Sequence, residues 1–149
     1  MTDPLAPVAA PRVQYAALPH RGGAQPEILL VTSRETGRWV IPKGWSMKGK
    51  SGSEAAAREA FEEAGVVGEI APEPLGAYGY VKFLKSGEGQ PCTVRVFALR
   101  VLDQLEDWPE KRQRTARWFA WRDAAAAVHE SGLAALIRGF GEAAAAASA

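Results

Sequence analysis

Arg58-Glu59-Ala60-Phe61-Glu62-Glu63-Ala64-Gly65-Val66 is the stretch on which the reading of this chain turns. At ~100° per residue in a helix, Glu59, Glu62 and Glu63 stand at i, i+3 and i+4 and fall within an arc of roughly 100°. Ala57, Ala60, Phe61 and Ala64 take the opposite arc, with small side chains suited to close packing on a sheet. The pattern predicts a helix that packs on its alanine side and presents its glutamates outward. Like charges at i, i+4 destabilise a helix by about 0.2–0.5 kcal/mol, and within the helix only Arg58, at i, i+4 to Glu62, is placed to offset this. Hard divalent cations take oxygen ligands, and Mg²⁺ in particular is held by a few carboxylates together with substrate phosphates, which suits such a face.

Upstream, Pro42-Lys43-Gly44 breaks the pattern, and residues 45–52 read as a Gly- and Lys-bearing loop feeding a helix over 53–64. Ser51 with Glu54 three residues on fits a capping box, and Ser53 fits the N-cap position equally well. Residues 13–18, 27–33 and 38–41 are short, β-rich and separated by turns such as Glu35-Thr36-Gly37, so they read as strands. Downstream, 75–84 and 92–101 form a hairpin across the polar loop 85–91, and 117–121 is a last strand. Residues 122–129 and 132–140 follow as helices, the second with Leu133, Leu136 and Ile137 at helical spacing. This order lacks the regular alternation of a doubly wound sheet and predicts an α/β protein of the α+β type, a mixed sheet with helices packed on its faces. The packed domain is expected over 12–140, with 1–11 disordered and 141–149 either frayed or extending a helix.

Composition narrows the function. The 149 residues are 47% hydrophobic and 23% charged, the balance of one soluble globular domain. A chain of this size buries roughly 68–70% of its unfolded surface, so its core needs neither disulfides nor a structural metal. Eighteen Lys+Arg against seventeen Asp+Glu give a net charge of +1, with no overall field for nucleic acid or an anionic membrane. The single Cys92 has no intrachain partner, and His20 and His129 have no Cys or His at ligand spacing, which removes zinc and haem readings and suits the cytoplasm. The longest aliphatic run, 28–31, is far below the ~18 residues of a spanning helix, and the first residues lack the apolar stretch of a signal peptide.

Around the acidic helix, Gly44 begins the pattern G-x5-K-x7-R-E-A-x-E-E-x-G-V, which resembles the Nudix box G-x5-E-x7-R-E-U-x-E-E-x-G-U, U being aliphatic. Matching Gly44, Arg58, Glu59, Glu62, Glu63 and Gly65 by chance has a probability of about 10⁻⁵ in a chain this long. The resemblance covers about 12–140 and implies a Nudix-like α/β/α sandwich, its mixed β-sheet lying between helices. It also implies a hydrolase of nucleoside diphosphates linked to another moiety, or of related pyrophosphates, with Mg²⁺ or Mn²⁺ as cofactor. Glu59 and Glu63 match the usual metal ligands. Glu62 matches the third acidic position, completing the metal shell or helping to activate water, while the Gly44 carbonyl is a further ligand and Arg58 orients a glutamate. One position departs: Lys50 stands where the box has its first glutamate, which points either to a degenerate, non-catalytic box or to a cation facing phosphate.

Arg38-Trp39-Val40-Ile41-Pro42-Lys43-Gly44 is similar to the W-x-x-P-K-G entry of the diphosphoinositol polyphosphate phosphohydrolase group, which also cleaves diadenosine polyphosphates. Leu105-Glu106-Asp107-Trp108, followed by Arg112-x-Arg114-x-x-Arg117-Trp118-Phe119, is similar to the segment those enzymes carry before their last strand. Arg38, Lys43, Lys48 and Lys50, joined by Arg95, Arg112 and Arg114, give the local cation density that a polyphosphorylated small molecule needs. Trp45, beside Gly44 in a loop, is the best aromatic candidate for the site, although relatives commonly carry Gly there. The expectation is a metal-dependent pyrophosphohydrolase of this type, a monomer or homodimer that binds neither nucleic acid nor membrane. A Nudix hydrolase of nucleoside-diphosphate sugars or nucleoside triphosphates, and a non-catalytic nucleotide-binding Nudix domain, are the rivals.

Overall fold

A computed structural model describes residues 10–147. The elements run β1 (Arg12–Arg21), β2 (Glu27–Thr32), β3 (Trp39–Val40), β4 (Lys43–Trp45), α1 (Gly52–Ala64), β5 (Val66–Ile70), β6 (Gly76–Phe83), β7 (Gly89–Gln104), β8 (Ala116–Ala120), α2 (Trp121–Ala127) and α3 (Ser131–Ala147). All eight strands belong to one mixed sheet, in which β1 and β7 pair in parallel and the other ladders are antiparallel. The expected mixed sheet between helices is therefore present.

The central strands are covered on both faces, so they read as continuous apolar runs. On one face Ala16, Leu18, Ile28, Leu30, Val94 and Val96 pack with Leu133 and Ile137 of α3. On the other, Ala17, Leu29, Val31, Phe97 and Leu99 pack with Ala56, Ala60 and Ala64 of α1. Period-two alternation thus sends neighbouring residues of one strand into two cores. No described helix is long and apolar enough to cross a membrane.

One edge of β1 carries β7 along Arg12–His20, so β2 and β4 must share the other. β2 takes it at His20 and Arg21, and β4 takes it at Gln14, Tyr15 and Ala16. Between these two ladders the sheet parts, and the parting forms a cleft at the end of α1. The sequence predicts a break and loop where β4 lies. Pro42 does end β3, but the free edge of β1 recruits the next three residues as a strand. β5 was also not expected, because Gly65, Gly68 and Glu69 obscure its pattern and most of it is exposed. Of the expected tail, 141–147 take the helical alternative and continue α3, with Gly141 packed against the Trp121 indole, and 148–149 lie outside the described residues. Of the expected disordered segment, residues 1–9 lie outside the described residues.

The ends of α1 are fixed by specific contacts. Ser51, not Ser53, is the N-cap: its hydroxyl accepts from the Glu54 N–H at 3.2 Å, and the Glu54 carboxylate accepts from the Ser51 N–H at 3.1 Å. Gly65 ends the helix in the left-handed region at φ 69°, where a β-carbon would also overlap the Trp108 indole. Gly65→Ala therefore adds both backbone strain and overpacking. It is expected to cost about 2–4 kcal/mol in urea unfolding, whereas Gly23→Ala, also at positive φ but with open space around it, should cost only the strain of about 1–2 kcal/mol.

Candidate active site

The cleft has a volume of about 290 Å³ and is lined from every element that meets at the parting of the sheet. β1 supplies Gln14, the turn after β2 supplies Ser33, Arg34 and Glu35, and β3 and β4 supply Val40, Lys43, Gly44 and Trp45. Glu59, Glu62 and Glu63 come from α1, Lys82 from β6, and Glu110 and Arg114 from the segment before β8. A smaller chamber of about 140 Å³ shares Ser33, Glu35, Val40, Lys43 and Lys82 with it and is more apolar, adding Tyr78, Tyr80, Val81 and Phe83.

The three glutamates of α1 do not form a uniformly solvated face. Glu63 is only 4% exposed, because the helix rolls that carboxylate toward the sheet parting. This corrects the outward presentation read from the helical pattern, which could not register an ion pair from a distant segment. Arg114 lies 3.8 Å from Glu63 and 3.1 Å from Glu110, and it donates to the Thr32 carbonyl at 3.1 Å. Glu62 is held differently, by Arg58 Nε at 2.8 Å, as the i, i+4 spacing predicts. Burial pushes Glu63 up to about 9, with the hydrogen-bonded Glu59 carboxyl adding to the shift, and burial likewise raises Glu59. The two carboxyls therefore titrate together, and burial disfavours their carrying two negative charges at once.

That pair suits a cation: the buried Glu63 and the half-buried Glu59 bring two oxygen donor groups together, and a divalent ion between them would offset the charge that burial disfavours. Gly44 lies so close that a β-carbon there would overlap the Glu59 carboxylate, which places backbone beside the same oxygens. Among the described residues no three His, Cys, Asp or Glu side chains enclose a cation by themselves, so water and substrate oxygens would complete the shell, as Mg²⁺ prefers.

The expected basic residues divide. Lys43 and Arg114 line the cleft, and Lys43 lies 5.0 Å over the Tyr80 ring, its ammonium lowered below the usual lysine range by burial. Trp45 also lines it, with the Arg12 guanidinium stacked 4.0 Å from its ring. Arg38 lines the smaller chamber. Lys48, Lys50, Arg95 and Arg112 are exposed and line neither. Lys50 follows a turn at Gly49, φ 78°, and stands by Glu54 at the start of α1, so it does not replace a carboxylate of the cleft. Arg95 alternates with Val94 and Val96, which face the α3 core, so it stands on the α1 face of the sheet. Glu110, Gln14, Arg34 and Lys82 were missed. Glu110 carries a sequence signal, its i, i+4 spacing to Arg114, which the motifs around it do not include.

Residues 11–140 match the family described as the NUDIX domain. The chain belongs to the Nudix family. It is 39% identical over 101 residues to "Nudix hydrolase 12, mitochondrial" of Arabidopsis thaliana, covering 66% of this chain and 50% of the relative. It is 34% identical over 112 residues to mouse "Diphosphoinositol polyphosphate phosphohydrolase 3-alpha", covering 73% of this chain and 64% of that protein. The chain thus spans about half the length of the first of these relatives. Among solved structures, a binary complex of the C. elegans Ap4A hydrolase superposes with a TM-score of 0.64 at 22% identity, covering 87% of this chain and 94% of that one. That likeness establishes the shared Nudix fold.

Two outcomes follow from the geometry. Gly44→Ala should drive the Glu59 carboxylate out of place and reduce divalent-cation affinity, measured by calorimetry, at least tenfold with the circular dichroism spectrum unchanged. Glu63 also sets a pH dependence: between about 4.5 and about 9 the unfolded chain has released a proton that the folded chain keeps. The cation-free protein therefore loses stability as pH rises through that window. Glu63→Gln should flatten this fall in melting temperature and raise it at pH 8 in the presence of chelator, whereas an unchanged slope would show that Glu63 ionises normally.

Proposed function

We propose that this Nudix domain is a divalent-cation-dependent pyrophosphohydrolase of polyphosphorylated small molecules, with diadenosine polyphosphates and diphosphoinositol polyphosphates as the candidate substrates. The observation that carries this reading is the Glu59–Glu63 pair, the second of them buried, sharing one cleft with Lys43 and Arg114. Carboxylates alone would repel a polyphosphate, and cations alone would bind it without activating anything. Their combination suits a substrate that arrives with its own negative charge and a cation between.

Glu59, Glu63 and the backbone at Gly44 would hold Mg²⁺ or Mn²⁺. Such an ion neutralises phosphate charge, polarises the diphosphate bridge and lowers the pKa of an attacking water. Arg114 keeps Glu63 and Glu110 in place against their mutual repulsion, and Arg58 does the same for Glu62. A carboxylate of this set accepts the proton that the attacking water loses. Lys43, half-buried and common to both chambers, meets the phosphates where the cleft opens into the more apolar chamber. That chamber's Tyr80 and Phe83 suit a planar base better than a sugar ring carrying phosphates on every side, which supports the diadenosine arm. Lys50 stands outside the cleft, so the altered box position does not argue for a non-catalytic domain.

A panel of diadenosine polyphosphates, inositol pyrophosphates, nucleotide sugars and nucleoside triphosphates, each with Mg²⁺ and with Mn²⁺, tests the reading. Turnover should be highest on a polyphosphate and fall about 10³-fold or more in Glu63→Gln. Preference for a nucleotide sugar, or equal turnover in the variant, would overturn it.

A further inference from the structure

Gln14 is the one buried polar side chain of the cleft that neither the family pattern nor the charge pattern singles out. It is 3% exposed, stands on β1 directly opposite Trp45 of β4, and lines the cleft. Its Oε1 accepts a hydrogen bond of 2.6 Å from the Tyr80 hydroxyl, whose ring lines the neighbouring chamber. Among the described residues its Nε2 has no hydrogen-bond partner, yet it is not among the sealed, unpaired polar atoms, which are the Tyr78 hydroxyl and Trp108 Nε1. The nitrogen therefore keeps access to the cleft. With the carbonyl end satisfied by a phenol, the amide nitrogen is the end of the side chain left to donate into the cleft.

Most of the neighbouring donors are already engaged. Arg114 is bound to Glu63, Glu110 and Thr32, Arg34 donates to Gln113 at 2.8 Å, and Lys82 lies 4.0 Å from Glu35. A polyphosphate entering the cleft must shed water from oxygens that then need donors, and the Gln14 amide is a donor with no competing protein acceptor among the described residues. We propose that Gln14 is a substrate-binding residue whose amide nitrogen donates to a phosphoryl oxygen of the bound polyphosphate, and that Tyr80 is a positioning residue that fixes the amide in that sense. The inference takes the identity of the occupant from the function proposed above and adds the contact. It also joins the two chambers: the ring that borders the apolar one anchors, through its hydroxyl, a donor in the phosphate-binding one.

The test uses the full chain with inorganic tripolyphosphate and Mg²⁺ as the binding probe, and diadenosine tetraphosphate as the kinetic one. Gln14→Met keeps the length of the side chain and removes the donor. Gln14→Glu keeps the acceptor for Tyr80 and replaces the donor with a carboxylate, so it guards against a packing defect in the first variant. Both should bind tripolyphosphate about tenfold to a hundredfold more weakly, with kcat/KM lost mainly through KM. Tyr80→Phe should cost about threefold to tenfold in the wild-type background and nothing more in Gln14→Met, because the hydroxyl acts only through the amide. Tripolyphosphate affinity within twofold of wild type in Gln14→Met, or an equal Tyr80→Phe effect in both backgrounds, would overturn the proposal. Weakened binding in the variants of a protein that hydrolysed nothing would support the Gln14 contact and strike only at the hydrolytic reading. Failure of the wild type to bind tripolyphosphate at all would overturn both.

Discussion

The divided edge of β1 is the constraint from which the rest of the molecule follows. With β7 occupying one side along its length, the other side must serve two partners, and β2 and β4 approach it from opposite ends. A sheet cannot remain continuous across that division, so it opens where the two ladders part. The opening brings backbone from β4 beside a helix packed on one face and gives access to residues of the other face. Gln14 and Lys43 thus share a cleft with glutamates of α1, although the buried neighbours of Gln14 along β1 and β7, such as Ala16 and Val94, belong to the core on the side of α3. Nothing in the local sequence of any single element would produce that meeting.

Within the opening, stability and chemistry pull in opposite directions. Burying Glu63 beside Glu59 is costly unless a proton or a cation is shared, and Arg114 offsets only part of that cost. The two apolar cores carry the fold while the cleft holds a charge arrangement poised to accept something. Strain of this kind at a single locus, surrounded by consistent packing elsewhere, is the usual mark of a site shaped by function.

Much of this was legible in the sequence because it is local. The capping box at Ser51 and Glu54, the alanine stripe of α1, the Arg58–Glu62 pair and the apolar runs of β2 and β7 all depend on residues a few positions apart. What escaped was non-local. β4 exists only because β1 has an edge to lend it, and the role of Gln14 depends on Tyr80, far along the chain, whose hydroxyl donates to it. Glu63 was read as exposed because helical spacing says which residues share a face and says nothing of what approaches that face. Lys48 and Lys50 are next to the acidic helix in sequence, yet both are exposed and line neither chamber, because adjacency along a loop does not fix where its side chains end up.

Trp108 has a further consequence. Its indole fills the place where Gly65 has no side chain, the Leu105 N–H donates to the Gly65 carbonyl at 2.8 Å, and the Glu110 N–H donates to the Glu62 carbonyl at 2.9 Å. The segment bearing Glu110 and Arg114 is therefore bolted to the end of the helix bearing Glu62 and Glu63, and the distance along the chain from Trp108 to Arg114 acts as a ruler. Lengthening the exposed turn at Leu84–Glu88 would merely enlarge a loop, whereas one residue inserted between Trp108 and Arg114 would carry the guanidinium past its carboxylates with every side chain still present. In the divergence of such chains, this interval should tolerate changes of residue far more readily than changes of length.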